Sequence, residues 1–117
     1  MPVIAVHTAH DWCATPDAAL EALRDATMAA WSLGPAALTL LWQPYAAGRM
    51  IAPADRGACY CLVEIAMLAG RSPELKQSLA LACIAALARF GVPPADIDIC
   101  FNESQPADWF VAGRPLP

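Results

Sequence analysis

The sequence predicts an α/β fold (α+β in how its layers segregate): a tandem β-α-β repeat forming a four-stranded sheet with two helices on one face. Three observations carry this. First, "TPDAALEALRDATMAAWSLG" (15–34) and "SPELKQSLALACIAALARFG" (72–91) resemble each other at an offset of 57 residues. Second, strand-like runs flank both stretches at that same offset. Third, a segment rich in proline, glycine and alanine separates the two halves. A β-α-β unit joins parallel strands by a right-handed crossover, so two units can share one sheet with both helices on the same side.

The first strand is "VIAVH" at 3–7, and proline stands just before it. Proline lacks the backbone N–H and is tolerated mainly at a strand's first position or on an edge. If Met1 is removed, Pro2 carries a free secondary amine at the end of a buried strand. An apolar setting and a nearby cation both disfavour a protonated amine, lowering its pKa from about 8 toward the range where a general base works best.

Each helix opens with a hydroxyl residue (Thr15, Ser72), then proline (Pro16, Pro73), then an acid (Asp17, Glu74). That order supplies a cap, a preset φ and a charge favourable to the helix dipole. Ala18–Leu33 and Leu75–Phe90 read as helices with broad apolar faces, each followed by a glycine stop, Gly34 and Gly91. "LTLLW" (38–42) and "ADIDI" (95–99) follow as strands, and "YCLVE" (60–64) opens the second half. The chain, 1–117, is thus a single domain. Its expected parts are a first β-α-β at 2–43, a linker at 44–57, a second β-α-β at 58–102 and a tail at 103–117. Within the tail, Trp109–Val111 is expected as a short strand or a segment docked on a neighbour.

Composition narrows the function. The apolar fraction is 58%, above the usual range of about 45–50%. No apolar run is long enough to span a bilayer, and no basic stretch precedes an apolar one as in a signal peptide. The excess apolar surface therefore points to an oligomer and not to a membrane. Net charge is −4 with scattered Lys and Arg, which argues against nucleic acid but leaves room for a small anion held by one or two arginines. Five cysteines and no export signal suit reduced thiols in the cytoplasm. Cys59 and Cys61 are expected to point to one face of a strand as core thiols, because no further metal ligands group near them. No nucleotide fingerprint or Ser-His-Asp arrangement is present, so neither metal nor cofactor is expected.

A doubled β-α-β with proline at its start resembles the tautomerase superfamily, which includes 4-oxalocrotonate tautomerase, malonate semialdehyde decarboxylase and macrophage migration inhibitory factor. The resemblance covers residues 2 to about 114. It implies a trimer, loss of the initiator methionine and an N-terminal proline acting as general base or acid. "AGRSPELK" (69–76) is similar to the "GRS" and acidic helix start of 4-oxalocrotonate tautomerase, which implies that Arg71 binds a substrate carboxylate. Independently, a helix N-terminus favours anions and a guanidinium beside it offers a carboxylate fork. "NESQPADW" (102–109) looks like the segment before the decarboxylase's final strand. Glu103 there can activate water or hold Pro2, and Trp109 and Phe110 can wall a substrate or pack at a subunit interface.

The sequence also departs from the decarboxylase pattern. Ala69 stands where its second arginine would be, and "GPAAL" (34–38) lacks its acid. The first half reads "TAHDWCATP" before its helix, placing His10 and Asp11 where a substrate-facing loop is expected; His7, on the strand, reads as structural. The expected function is a tautomerase-like isomerase moving a proton in a small 2-oxo or enol carboxylic acid. The catalytic residue is Pro2; the substrate contacts are Arg71, Glu103, Trp109, Phe110 and His10. The alternatives are a hydratase, dehalogenase or decarboxylase of a three-carbon acid, or a non-catalytic trimeric binding protein if Met1 stays.

Overall fold

The computed structural model describes residues 2–9 and 12–116. Strand β1 (Val3–Ala9), helix α1 (Pro16–Trp31) and strand β2 (Thr39–Tyr45) form the first unit. Strand β3 (Cys61–Leu68), helix α2 (Pro73–Ala88) and strand β4 (Ile97–Ser104) form the second. The sheet order is β2-β1-β3-β4, with β1∥β2 and β3∥β4 parallel inside each unit. The two units meet through the antiparallel pair β1–β3, where Val3 faces Ala66 and Thr8 faces Cys61. This is the expected doubled β-α-β.

Alternation along the central strands sets the core. Ile4 and Val6 of β1 and Cys61, Val63, Ile65 and Met67 of β3 are buried under the helices. Leu23 of α1 and Leu79, Cys83 and Leu87 of α2 meet them. The period of two places Val3, Ala5, His7, Leu62, Glu64 and Ala66 on the other face, which is only half-buried. On that face Leu41 of the edge strand β2 is 50% exposed.

Several boundaries differ from the sequence reading for local reasons. Both helices start on their prolines and end two residues sooner. Ser72 caps α2 as expected, its Oγ accepting from Leu75 N at 3.2 Å, whereas the Thr15 side chain makes no capping bond. The glycine stop holds for α2, where Gly91 has φ +93°. In α1 the left-handed residue is Ser32 at φ 52°, and Gly34 is extended. β2 runs through Pro44 into the expected linker because β1 pairs with it as far as Ala9–Tyr45; an edge strand tolerates a missing N–H. β4 likewise continues to Ser104, opposite Leu68.

The linker is tied down at its far end. Gly57 N donates to Asp96 Oδ1 (2.8 Å), and Arg56 and the Tyr60 hydroxyl donate to the two oxygens of Asp98 (2.9 and 2.8 Å). Hydrogen bonds from Arg56 and Tyr60 hold the Asp98 carboxyl below its ordinary pKa. Burial and the Asp98 bond push Tyr60 up to about 12. The tail forms a small hairpin, β5 (Phe110–Val111) with β6 (Arg114–Pro115). Its turn residues Ala112 and Gly113 both have positive φ, 53° and 77°, as a tight hairpin turn requires. Among the described residues no helix is long and apolar enough to cross a membrane.

Candidate active site

Pro2 stands one residue before β1, buried, with its carbonyl accepting from Thr39 N at 3.2 Å. The antiparallel register with β3 brings it beside Met67, near the strand's carboxyl end. The chain then turns at Gly70, whose φ of +120° favours a residue without a Cβ, and enters α2 through Arg71 and Ser72. Sheet register and this turn together put Pro2 and Arg71 on one open cleft of ≈ 460 Å³.

Arg71 has an unusual setting within this cleft. Its guanidinium carbon lies 4.5 Å from the centroid of the Trp31 ring, and it makes no ion pair among the described residues. Arg24 and Arg56, by contrast, are engaged by Asp25 and by Asp55 and Asp98. An arginine stacked by its face keeps its in-plane N–H groups for a planar anion. Trp31, at the end of α1, is itself fixed by a 2.9 Å bond from Nε1 to Leu75 O.

On its other side Pro2 borders a second, smaller cavity of ≈ 230 Å³. Ala36, Ala37 and Leu38 line it from the turn after α1, and Trp109 and Phe110 from the tail. Trp109 Nε1 donates to Ser104 Oγ, which donates in turn to Met67 O at 3.2 Å, anchoring the tail beside Pro2. Phe110 is 69% exposed. Apart from Thr39 the side chains that line this second cavity are apolar, and among the described residues no carboxylate borders either cavity.

The structure thus brings together Pro2 and Arg71 on one cleft, and Pro2, Trp109 and Phe110 on the other. Glu103 lines neither; its carboxylate pairs with Lys76. His10 lies outside the described residues. Ala69 lines the Arg71 cleft and brings no second cation there. Cys59 precedes β3, correcting the expectation that it shares a strand face with Cys61. Burial raises the thiol pKa of Cys61 to about 11 and of Cys83 to about 12, so both remain protonated core groups. Among the described residues no metal-binding group of His, Cys, Asp and Glu occurs. His7 bridges the open sheet face, with Nδ1 2.8 Å from Tyr45 OH and Nε2 2.8 Å from Glu64.

Sequence reasoning missed Trp31. Its position was recoverable: two β-α-β units related across β1–β3 run their helices antiparallel, so the end of α1 meets the start of α2.

Comparison with known proteins agrees with this geometry. A family model described as "Tautomerase enzyme" matches residues 39–112. The "Q0 fused 4-OT wild type symmetric trimer" is 31% identical, with TM-score 0.82 over 94% of this chain and 91% of that one. "FG41 Malonate Semialdehyde Decarboxylase inhibited by 3-bromopropiolate" is 24% identical, with TM-score 0.80 over 92% and 87%. A member of the "cis-3-chloroacrylic acid dehalogenase (cis-CaaD) family" shares the fold at 15% identity, with TM-score 0.84 over 98% and 83%. No curated protein sequence matches the chain.

Proposed function

The chain belongs to the tautomerase family, and from that premise we propose that it is an isomerase that moves a proton within a small 2-oxo or enol carboxylic acid. Removal of Met1 frees the Pro2 nitrogen. The neutral amine takes the enol O–H proton. The carbonyl forms, and the C=C pair captures a proton from the resulting ammonium at carbon. Arg71 holds the substrate carboxylate through paired N–H···O bonds. The observation that carries this reading is that Pro2 lines one cleft with an arginine that pairs with no acid among the described residues.

The alternative is water chemistry on a three-carbon acid: hydration, dehalogenation or decarboxylation. Ala36, Ala37 and Leu38 beside Pro2 offer nothing to activate a water, and this favours proton transfer. The proposed assembly is a homotrimer, supported by the half-covered sheet face and by a relative described as a trimer. A non-catalytic trimer remains the reading if Met1 is retained. Free cysteines among the described residues support a reducing compartment such as the cytoplasm.

Ketonisation of phenylenolpyruvate and of 2-hydroxymuconate is the test. Turnover that is lost in Pro2→Ala and weakened by a raised KM in Arg71→Ala is the expected result. Turnover unchanged in Pro2→Ala overturns the mechanism, and turnover of 3-oxopropanoate or a haloacrylate alone favours the alternative.

A further inference from the structure

We infer that Trp31 is a positioning residue for Arg71, holding the guanidinium by its face so that its edge is left to bind a substrate carboxylate; this rests on the reading of Arg71 given above. Trp31 is 5% exposed, yet it borders the cleft. Its Nε1–H is bonded to Leu75 O, in the first turn of the helix that Arg71 precedes. The ring therefore moves with the start of α2, and the 4.5 Å stack ties the arginine to that frame.

A positively charged loop side chain can be fixed in two ways. A carboxylate can grip it, as Asp98 grips Arg56, but that occupies the N–H groups. An aromatic face attracts the cation through the ring quadrupole and leaves those groups unspent. Only the second arrangement preorganises an arginine without competing with its ligand, because the cost of ordering the side chain is met before binding. Trp31 supplies it from the opposite half of the repeat.

The test compares phenylenolpyruvate with its methyl ester in the wild type, Trp31→Phe and Trp31→Leu. Loss of the stack in Trp31→Leu is expected to raise KM for the acid about 3- to 30-fold. kcat should stay within about 2-fold and KM for the ester should not change. Trp31→Phe keeps a π face and is expected to keep most of the preference for the acid. An unchanged acid-to-ester preference in Trp31→Leu, or equal losses in both variants, would overturn the proposal in favour of simple packing.

A second readout needs neither turnover nor a folded variant. The Arg71 Nε–H proton should resonate upfield of an exposed arginine through the indole ring current. Its absence in the wild type overturns the stack. A present stack in an enzyme whose acid-to-ester preference ignores Arg71→Ala would sink the reading of Arg71, and with it the role of Trp31 but not the contact.

Discussion

The two ends of the repeat are built on one frame and have opposite characters. At one end, the start of β1 meets the end of β3 and the start of α2, leaving the cleft between Pro2 and Arg71 open. At the other, the start of β3 meets the end of β1 and the approach to α1; Trp12 and Tyr60 fill the strand ends, and a cavity of ≈ 320 Å³ opens only farther on, beside Ala14. Thr8 Oγ1 donates to Tyr60 O at 2.6 Å and accepts from Trp12 Nε1 at 2.7 Å. Trp12 packs edge-on to Trp42 with centroids 5.9 Å apart, and Tyr60 and Cys13 are buried.

Matching positions across the 57-residue offset explains the difference. Pro2 corresponds to Cys59, Arg71 to Ala14, Trp31 to Ala88 and Ala69 to Trp12. At those matching positions the filled end has a thiol in place of the proline and alanines in place of the arginine and of its tryptophan; where the open end has a methyl group, it has an indole. A duplicated scaffold supplies two equivalent places, but only one can hold a chain terminus. On the proposed function, chemistry that needs a free amine is confined to one end, and the other is left to stabilise the fold.

Breaking the amine should have the largest effect. In protein that has lost Met1, Pro2→Ala is expected to lower kcat for enol ketonisation roughly 100-fold or more, the share typical of a positioned acid or base. Cys59→Ala at the corresponding place should leave the rate unchanged, and equal losses in a steady-state assay would break the comparison.

Arg71→Ala should come next, raising KM for a carboxylate substrate by about 10- to 100-fold, the worth of charge-assisted hydrogen bonds. Ala14→Arg should add no activity, because the place matching Pro2 at that end is Cys59, inside the chain, with no terminal amine.

At the filled end the readout is stability. Thr8→Val leaves Tyr60 O and the Trp12 indole N–H without their partner, at a cost of about 1–3 kcal/mol in urea unfolding, while spectra of the native state stay unchanged. No loss would mean that this end is closed by shape alone.

The linker clamp beside that end gives a pH dependence. Asp98 has a folded pKa below its ordinary value, so its contribution is complete above the unfolded value of about 4 and is lost as pH falls through the folded one. Urea midpoints of the wild type and Asp98→Asn should differ at neutral pH and converge on acidification. A constant gap would contradict the pairing with Arg56.

The smallest effect concerns the end of α1. Ser32→Gly relieves a left-handed serine and is expected to stabilise by about 0.5 kcal/mol after the entropy cost of glycine, read as a small rise in urea midpoint.

Much of this frame was legible because local signals agreed. The Thr/Ser-Pro-acid helix starts and the 57-residue offset required no tertiary information, and together they imply a doubled β-α-β; that its halves run antiparallel is set by the β1–β3 pairing. Pro2 and Arg71 could be singled out because each sits at an element boundary, where backbone geometry exposes chemistry. What stayed hidden depended on partners distant in sequence. Nothing near Glu103 announces Lys76, which is 27 residues earlier and captures its carboxylate. Trp31 reads as an ordinary core aromatic until the helices are paired. The left-handed turn at Ser32 was masked by a better glycine two residues on, and Pro44 resembled a linker because an edge strand and a loop tolerate proline equally well.

On the proposed function, one end of the doubled frame is active because it alone presents a free secondary amine. Intact mass of the purified protein, with N-terminal peptide sequencing, tests it most directly. The expected result is a single species lacking one methionine and beginning at Pro2. A protein that retains Met1 would contradict it, since the Pro2 nitrogen would then be an amide with no basic lone pair.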